Sequence, residues 1–153
     1  MRRLVVLGCA LATVVRAAGA QLAATEWSVG VTTVAARYTF WGAGLELARR
    51  PSGQVRGAVA AAAGARDRQA AVRLDATAQF VVTPSARTGV TLSGGLGLAY
   101  AGARHTRGAA WATAQLGAET AAGRRRGWFV EVGLGGGLRV AAGWRWRSFP
   151  SWW

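Results

Sequence analysis

The chain has no lysine, asparagine or isoleucine, and it has only one cysteine and one histidine among its 153 residues. The cysteine, Cys9, lies in a leader that we expect to be removed, which leaves the remaining chain without a disulfide or a thiol nucleophile. Metal sites need clustered ligands, and a single histidine, His105, leaves only carboxylates to supply them. The sequence therefore predicts no metal and no cofactor.

Long hydrophobic runs are also absent. The first apolar run, residues 4–15, is shorter than the ~20 residues that a transmembrane helix needs, and the longest charge-free run after it, residues 88–103, contains five glycines. Because the first run follows a basic tip and precedes the small residues 18–20, it is typical of a secretory signal peptide. We expect residues 1–20 to be this signal peptide and residues 21–153 to form one domain. A retained helical anchor and a lipidated cysteine are the alternatives.

Acidic residues are few, six against nineteen arginines, and the formal net charge is +13. Such a charge suggests nucleic-acid binding, and the run RRRG at residues 124–127 looks like a basic patch. A signal peptide argues against that partner, because it directs the chain out of the compartment that holds nucleic acid. We therefore predict no nucleic-acid partner, and basic turns that face lipid phosphates instead.

What the chain does contain is a regular alternation of apolar and polar residues. Residues 70–83 read AAVRLDATAQFVVT, in which Leu74 and Phe80 belong to the apolar set while Arg73 and Asp75 lie between its members. A period of two indicates a β-strand with one apolar and one polar face, since in a helix the same positions would spread around the whole surface.

Seven further segments carry the same alternation, and each is close to the ~9 to 11 residues that a tilted strand needs to cross a bilayer. The eight segments lie at residues 26–34, 38–48, 54–66, 70–83, 88–101, 109–120, 128–134 and 138–147. The alanine run at residues 60–63 could also be read as helix, but the neighbouring segments favour a strand. Residues 102–108 are expected to form the longest loop. Trp111 falls on the polar face of its segment, which fits only a position near a rim.

Strands with apolar outer faces can cross a membrane only as a closed barrel, because every backbone group in lipid must be paired within the protein. The sequence thus predicts an all-β fold, an eight-stranded antiparallel up-and-down transmembrane barrel. Aromatic girdles at the two rims would be formed by residues near segment ends: Trp27, Tyr38, Phe40, Tyr100, Trp128, Phe149, Trp152 and Trp153. A soluble barrel or sandwich with these residues in its core is the alternative.

Successive side chains of a strand point to opposite faces, and this alternation, called strand parity below, places equal numbers of acids and arginines on the inward face. We therefore expect a formally neutral ion-pair network that plugs the lumen and prevents conduction. Its predicted members are Glu26, Glu46, Arg56, Arg73, Asp75, Glu119, Glu131, Arg139, Arg145 and Arg147. Other arginines fall in turns, where we expect a rim that contacts lipid phosphates: Arg49, Arg50, Arg87, Arg104, Arg107, Arg124, Arg125 and Arg126. The pairing partners depend on the stagger of the strands, which the sequence does not give.

The last predicted strand combines Gly143 with Trp146 close to the carboxyl terminus. In this strand, and in its eight segments behind a signal peptide, the chain resembles the small outer-membrane barrels of the OmpX type and the transmembrane domain of OmpA. The resemblance implies an outer-membrane location, insertion by the barrel-assembly machinery, contact with outer-membrane lipid and lipopolysaccharide, and a monomeric state. Ser148 stands where such families carry a second aromatic residue.

The residues point to no reaction. The glycine-rich pieces at 94–97 and 133–137 would suit a phosphate loop, but no lysine exists to complete one. Some eight-stranded outer-membrane barrels are lipid A deacylases or acyltransferases that use a rim histidine, yet His105 is followed by Thr106 and Arg107, without the His-x-Ser of the deacylases. We predict no enzymatic activity and a structural or envelope-integrity role. A lipid-modifying enzyme and a soluble periplasmic binding barrel are the alternatives.

Overall fold

The structure of the protein is a computed structural model that describes residues 23–51, 53–103 and 106–151. Several predicted features lie outside this described part: the signal peptide at residues 1–20, Arg104, His105, Trp152, Trp153 and the side chain of Arg107. No helix in the described ranges is long and apolar enough to cross a membrane.

The described chain forms eight β-strands, as the alternation predicts. They are β1 (Ala24–Ala35), β2 (Phe40–Arg50), β3 (Val55–Arg66), β4 (Gln69–Val81), β5 (Val90–Ala103), β6 (Thr106–Thr120), β7 (Arg126–Leu134) and β8 (Leu138–Ser148). Each strand pairs antiparallel with its neighbours in sequence, and β1 also pairs with β8. The sheet therefore closes into a barrel, and the predicted fold class is confirmed.

The alternation of side chains decides which residues face the lumen. In β4, Arg73, Asp75 and Gln79 are buried, while Leu74 and Phe80 are about half exposed on the outside. The alanine run of β3 is extended and follows the same rule, so the strand interpretation is confirmed there. The inside of the barrel is polar and the outside apolar, which is the reverse of a water-soluble protein.

The barrel closes with a stagger of ten residues. Following paired residues once around the barrel from Val81 leads back to β4 at Ala71, ten positions along the same strand. The path runs through Ser93, Gly117, Glu131, Ala141, Thr32, Gly42 and Gly64. With a rise of about 3.3 Å per residue and about 4.8 Å between strands, this stagger tilts the strands by about 40° from the barrel axis.

The two ends of the barrel carry connections of different length. The end with both chain termini, called the terminal end, has the connections 51–54, 82–89 and 121–125, and the opposite or distal end has 36–39, 67–68, 104–105 and 135–137. The expectation of a longest loop at residues 102–108 was wrong, because β5 continues to Ala103 and β6 begins at Thr106. The longest connection is 82–89, where Pro84 cannot donate to a strand ladder.

Four of the predicted girdle residues face outward, and one faces the lumen. Trp27, Tyr38, Tyr100 and Trp128 are exposed on the outside, but Phe40 is buried in the lumen against Val34 and Ala71. Phe40 was wrongly assigned to a girdle, because it begins β2 on the same face as the inward residues of that strand. On the outside, the indoles of Trp27 and Trp146 stack at 4.0 Å across the closing pair of strands.

The distal rim is stepped, because β7 is short. Residues 114–119 of β6 pair with β7, which ends at Leu134, so residues 106–113 of β6 extend past it with β5 as their partner in the described chain. Trp111 lies in this extension on the inward face, and its ring packs beside Gly136 of the β7–β8 connection. The mismatch of Trp111 with the alternation is thus explained by its place at a rim.

Candidate functional site in the barrel lumen

The ten charged residues that strand parity sends inward all lie inside the barrel. None is more than 9% exposed, and Glu26 and Arg56 are completely buried. Charges this far from water are tolerated only where each has a partner, since an unpaired buried charge costs several kcal/mol. The pairing therefore decides what the lumen can do.

Arg145 of β8 is the residue that joins the most carboxylates. Its Nη2 donates to Glu46 Oε1 at 2.7 Å and lies 3.4 Å from Glu131 Oε1, while Nη1 donates to Glu119 Oε2 at 2.5 Å. The Nε atom is 3.8 Å from Glu26 Oε2. Arg145 thus bridges β8 to β1, β2, β6 and β7, and the planar fork of a guanidinium is suited to several acceptors at once.

Glu119 of β6 is a second centre of the same network. Its carboxylate accepts hydrogen bonds from Arg56 at 2.5 Å, from Arg145 and from Arg147 at 2.7 Å. Glu26 lies beside it and is 3.1 Å from the Nε of Arg56. Arg139 completes the network by donating to Glu131 at 3.1 Å. Each acid therefore has at least one arginine, and the two best-connected acids have three or more.

Arg50 belongs to the network and not to the exposed rim where the sequence placed it. Because β2 continues through Arg50, its side chain points inward, is completely buried and pairs with Glu26. Its Nη2 also donates to the carbonyl oxygen of Ala122 at 2.9 Å. Six arginines therefore face five acids, and the lumen carries one positive charge more than the neutral balance that we expected.

Arg73 and Asp75 form a separate pair toward the distal end. Arg73 Nε donates to Asp75 Oδ2 at 2.9 Å and Nη2 donates to Oδ1 at 2.7 Å, a bidentate geometry within one strand. Arg73 Nη1 donates to the carbonyl oxygen of Gly135 at 3.1 Å, which ties the β7–β8 connection over the lumen. This pair does not depend on the stagger, because both residues lie on β4.

Neutral polar residues complete the hydrogen bonding. Arg56 donates to Gln79 at 3.0 Å, and Arg139 donates to Gln115 at 2.9 Å. These glutamines were missing from the predicted network because only charged residues were considered. Their inward parity in β4 and β6 was the signal that could have found them.

Glycines make room for the aromatic support of Arg145. Phe129 of β7 is buried, and the Cζ of Arg145 lies 4.6 Å from its ring centroid. The Phe129 ring lies against Gly143, its partner in β8, where a Cβ would be 2.9 Å from the ring edge. Gly143 in turn pairs with Gly30 of β1. Small residues at this level therefore allow both ring and guanidinium to fit.

The lumen contains a small cavity among its charged side chains. A cavity of about 40 Å³ lies between the two groups of ion pairs, and its lining includes Ser28, Glu46, Asp75, Phe129 and Arg139. Since one water needs about 10–15 Å³ of such space, the cavity has room for roughly three waters. At the terminal end, the buried residues Ala121 and Ala122 lie over the opening.

Five of the eight arginines predicted for the rim are exposed at the terminal end. They are Arg49, Arg87, Arg124, Arg125 and Arg126. Arg124 Nε donates to the carbonyl oxygen of Arg87 at 2.7 Å, which joins the two longest connections. The structure brings these five arginines to one edge of the barrel.

No protein-family model and no curated protein matches the chain. Nine chains of solved structures do match it, and the following two are among them. The N-terminal β-barrel domain of OprF from Pseudomonas aeruginosa is 12% identical, with a TM-score of 0.67 over 84% of this chain and 98% of that one. The fold is that of a small outer-membrane β-barrel. The outer membrane protein OprG from Pseudomonas aeruginosa is 10% identical, with a TM-score of 0.65 over 85% of this chain and 98% of that one. At these identities the similarity establishes the fold alone.

Proposed function

We propose that this protein is exported to a bacterial outer membrane, spans it as a non-conducting barrel and has a structural or envelope-integrity role. The observation that carries this proposal is the distribution of polarity. Large apolar side chains are exposed around the outside, such as Leu47 at 68%, Leu96 at 69% and Leu116 at 74%, while charges fill the inside. Such a surface is unfavourable in water and suited to lipid. A soluble binding barrel would need the opposite arrangement.

The ion-pair network supports the non-conducting lumen. Side chains from β1, β2, β3, β6, β7 and β8 meet in it, and the cavity beside Glu46 and Arg139 measures about 40 Å³. An eight-stranded barrel is just wide enough for side chains to fill its interior. The enzymatic alternative rests on His105, which lies outside the described residues, and no second histidine exists in the chain to replace it.

We further propose that the five exposed arginines of the terminal end contact lipid phosphates. A cluster of exposed cations at a membrane edge attracts anionic headgroups by about 1 kcal/mol per residue. In this proposal the barrel-assembly machinery inserts the chain, which then stays monomeric, with lipid and lipopolysaccharide as its neighbours and no nucleic acid.

Cell fractionation tests the membrane location. The full chain, expressed in a Gram-negative host, is expected to remain with the outer membrane after an alkaline wash, because its apolar outer surface is stable only in lipid. On a gel, the unheated protein is expected to migrate faster than the boiled protein, as a closed barrel does. Recovery in the soluble periplasmic fraction would show that the location is wrong.

Planar-bilayer recording tests the closed lumen separately. The purified, heat-modifiable protein is expected to give no steady conductance, because the buried ion pairs leave no continuous water path. A large porin added to the same membrane serves as the positive control. Steady, large ohmic openings from the protein alone would replace the plugged lumen with a pore.

A further inference from the structure

Two arginines share one tyrosine ring at the distal end. The Cζ of Arg37 lies 5.5 Å from the centroid of the Tyr38 ring, and the Cζ of Arg66 lies 5.8 Å from it. Tyr38 belongs to the β1–β2 connection, and Arg66 is the last residue of β3. An aromatic ring attracts each guanidinium through its electron-rich face. Tyr38 therefore holds two like charges close together at the membrane edge.

The charges of this cluster are not neutralised within the described chain. Arg68 follows in the β3–β4 turn, where it and Asp67 adopt left-handed conformations with φ of 62° and 49°. Among the described residues, Arg37, Arg66, Arg68 and Asp67 form no salt bridge with one another or with the lumen network. The distal cluster, defined as Arg37, Tyr38, Arg66, Asp67 and Arg68, thus has a net charge of +2.

An apolar groove of about 470 Å³ begins directly below the cluster on the outer surface. Its lining includes Ala63, Ala70, Val72, Tyr100 and Gly108. The Tyr100 ring lies against Gly108, where any Cβ would collide with it, so this glycine is what allows the ring to form one wall of the groove.

The strand register places the groove and the cluster together. Arg66 pairs with Gln69, and the next pair down the same two strands is Ala65 with Ala70, which belongs to the groove lining. A cationic site therefore lies at the headgroup level and an apolar slot lies beneath it. An anionic amphiphile would match this arrangement, because its charged headgroup would meet the arginines and its apolar chain would occupy the groove.

We propose that the distal cluster and its groove form a binding site for a membrane lipid whose headgroup ends in a phosphomonoester, with one acyl chain in the groove. This inference rests on the proposed membrane location. A phosphomonoester carries about −1.5 to −2 charges at pH 7, which balances the net +2 of the cluster, whereas a phosphodiester carries a single charge. Guanidinium groups bind phosphate oxygens through paired hydrogen bonds.

Native mass spectrometry of the membrane-extracted protein tests the site. The probes are phosphatidic acid as the phosphomonoester, phosphatidylglycerol as the phosphodiester and phosphatidylcholine as the neutral lipid. The wild-type protein is expected to retain phosphatidic acid in preference to the other two. In the Arg37→Gln/Arg66→Gln variant this binding is expected to weaken by roughly 30-fold, the loss of two cations near a headgroup. Inorganic phosphate in excess is expected not to displace the lipid, because it has no chain for the groove.

Two matched variants separate the site from general basicity. Arg124→Gln/Arg125→Gln removes the same charge from the terminal end, so it is expected to weaken retention of phosphatidic acid and phosphatidylglycerol alike and to leave the ratio between them unchanged. Ala63→Trp fills the groove without touching the arginines and is expected to weaken binding, while Ala112→Trp, on the outer face of β6, is not.

Each result supports or overturns the proposal. Equal retention of phosphatidic acid and phosphatidylglycerol by a heat-modifiable wild-type barrel would overturn the lipid site and leave the membrane location intact. The same loss of preference for phosphatidic acid over phosphatidylglycerol in the terminal-end variant as in the distal one would also overturn it. A protein found only in the soluble fraction would overturn both the site and the proposed function.

Discussion

Replacing Arg145 with methionine is expected to lower the free energy of unfolding by about 3–5 kcal/mol. Arg145 contacts Glu46, Glu119 and Glu131 within 3.4 Å, and methionine would leave these carboxylates buried with less positive charge around them. Removing one partner of a buried pair is costly because the charge left behind cannot return to water. Equilibrium urea unfolding in lipid vesicles, followed by tryptophan fluorescence, measures the change.

Two further variants control this experiment. Arg126→Met changes the same residue type at an exposed position of β7 and is expected to alter stability by no more than about 0.5 kcal/mol. Arg145→Lys keeps the positive charge but loses the planar guanidinium that donates to several carboxylates at once. The stability of this variant is therefore expected to fall between those of the wild type and the methionine variant. A loss below about 1 kcal/mol in Arg145→Met would show that water screens the lumen charges.

Replacing Gly143 with valine is expected to prevent the barrel from closing. A side chain at this position would collide with the backbone of Val29 and Gly30 in β1 and with the ring of Phe129. Neither backbone contact can be relieved without separating β8 from β1, the pair that closes the sheet. The expected result is loss of the fast-migrating, unheated band and degradation of the protein in cells.

Gly57→Val is the matched control, because it makes the same change in another strand. The side chain added to Gly57 of β3 would meet nothing within 4 Å. Valine also favours strands, so this variant is expected to fold with normal heat-modifiable migration. If Gly143→Val folded equally well, the close approach of β8 and β1 at this glycine would be incorrect.

The inward or outward facing of nearly every charged residue could be predicted. Once the apolar face of a strand is placed outside, the period of two fixes the facing of all its other residues. Glu26 and Arg147 were placed in the lumen by parity alone, although they lie at opposite ends of the chain. Arg50 was missed because Arg49, Arg50 and Pro51 look like a turn. Residues of a turn do not alternate between two faces, so the facing of Arg50 could not be predicted from them. Extending β2 by two residues would have placed Arg50 correctly.

The partners could not be predicted, because they depend on the stagger. Glu119 and Arg56 are 63 positions apart in sequence, and only the ten-residue closure brings β6 and β3 side chains to the same level across the lumen. The Arg73–Asp75 pair needs no such information, since it lies within one strand. The loop assignment at residues 102–108 failed for a different reason. Glycine and arginine are common in turns, but here the two strands include Gly102 and Gly108, with a shift of register between Ala101 and Ala103.

The stepped distal rim has a consequence for the thickness of the surrounding membrane. At a tilt of about 40°, each residue rises roughly 2.5 Å along the barrel axis. The nine residues of β7 then give a wall about 22 Å tall, and the fifteen of β6 give one about 38 Å tall. In the membrane location proposed above, the apolar band of a barrel is about 25 Å tall, so the bilayer would thin by a few Å beside the short wall of β7, at a cost of a fraction of a kcal/mol per Å. The wall of β6 exceeds this band and would need no thinning, so the strain of the bilayer would lie on the β7 side of the barrel. A second short-walled protein that settled against β7 would relieve that strain.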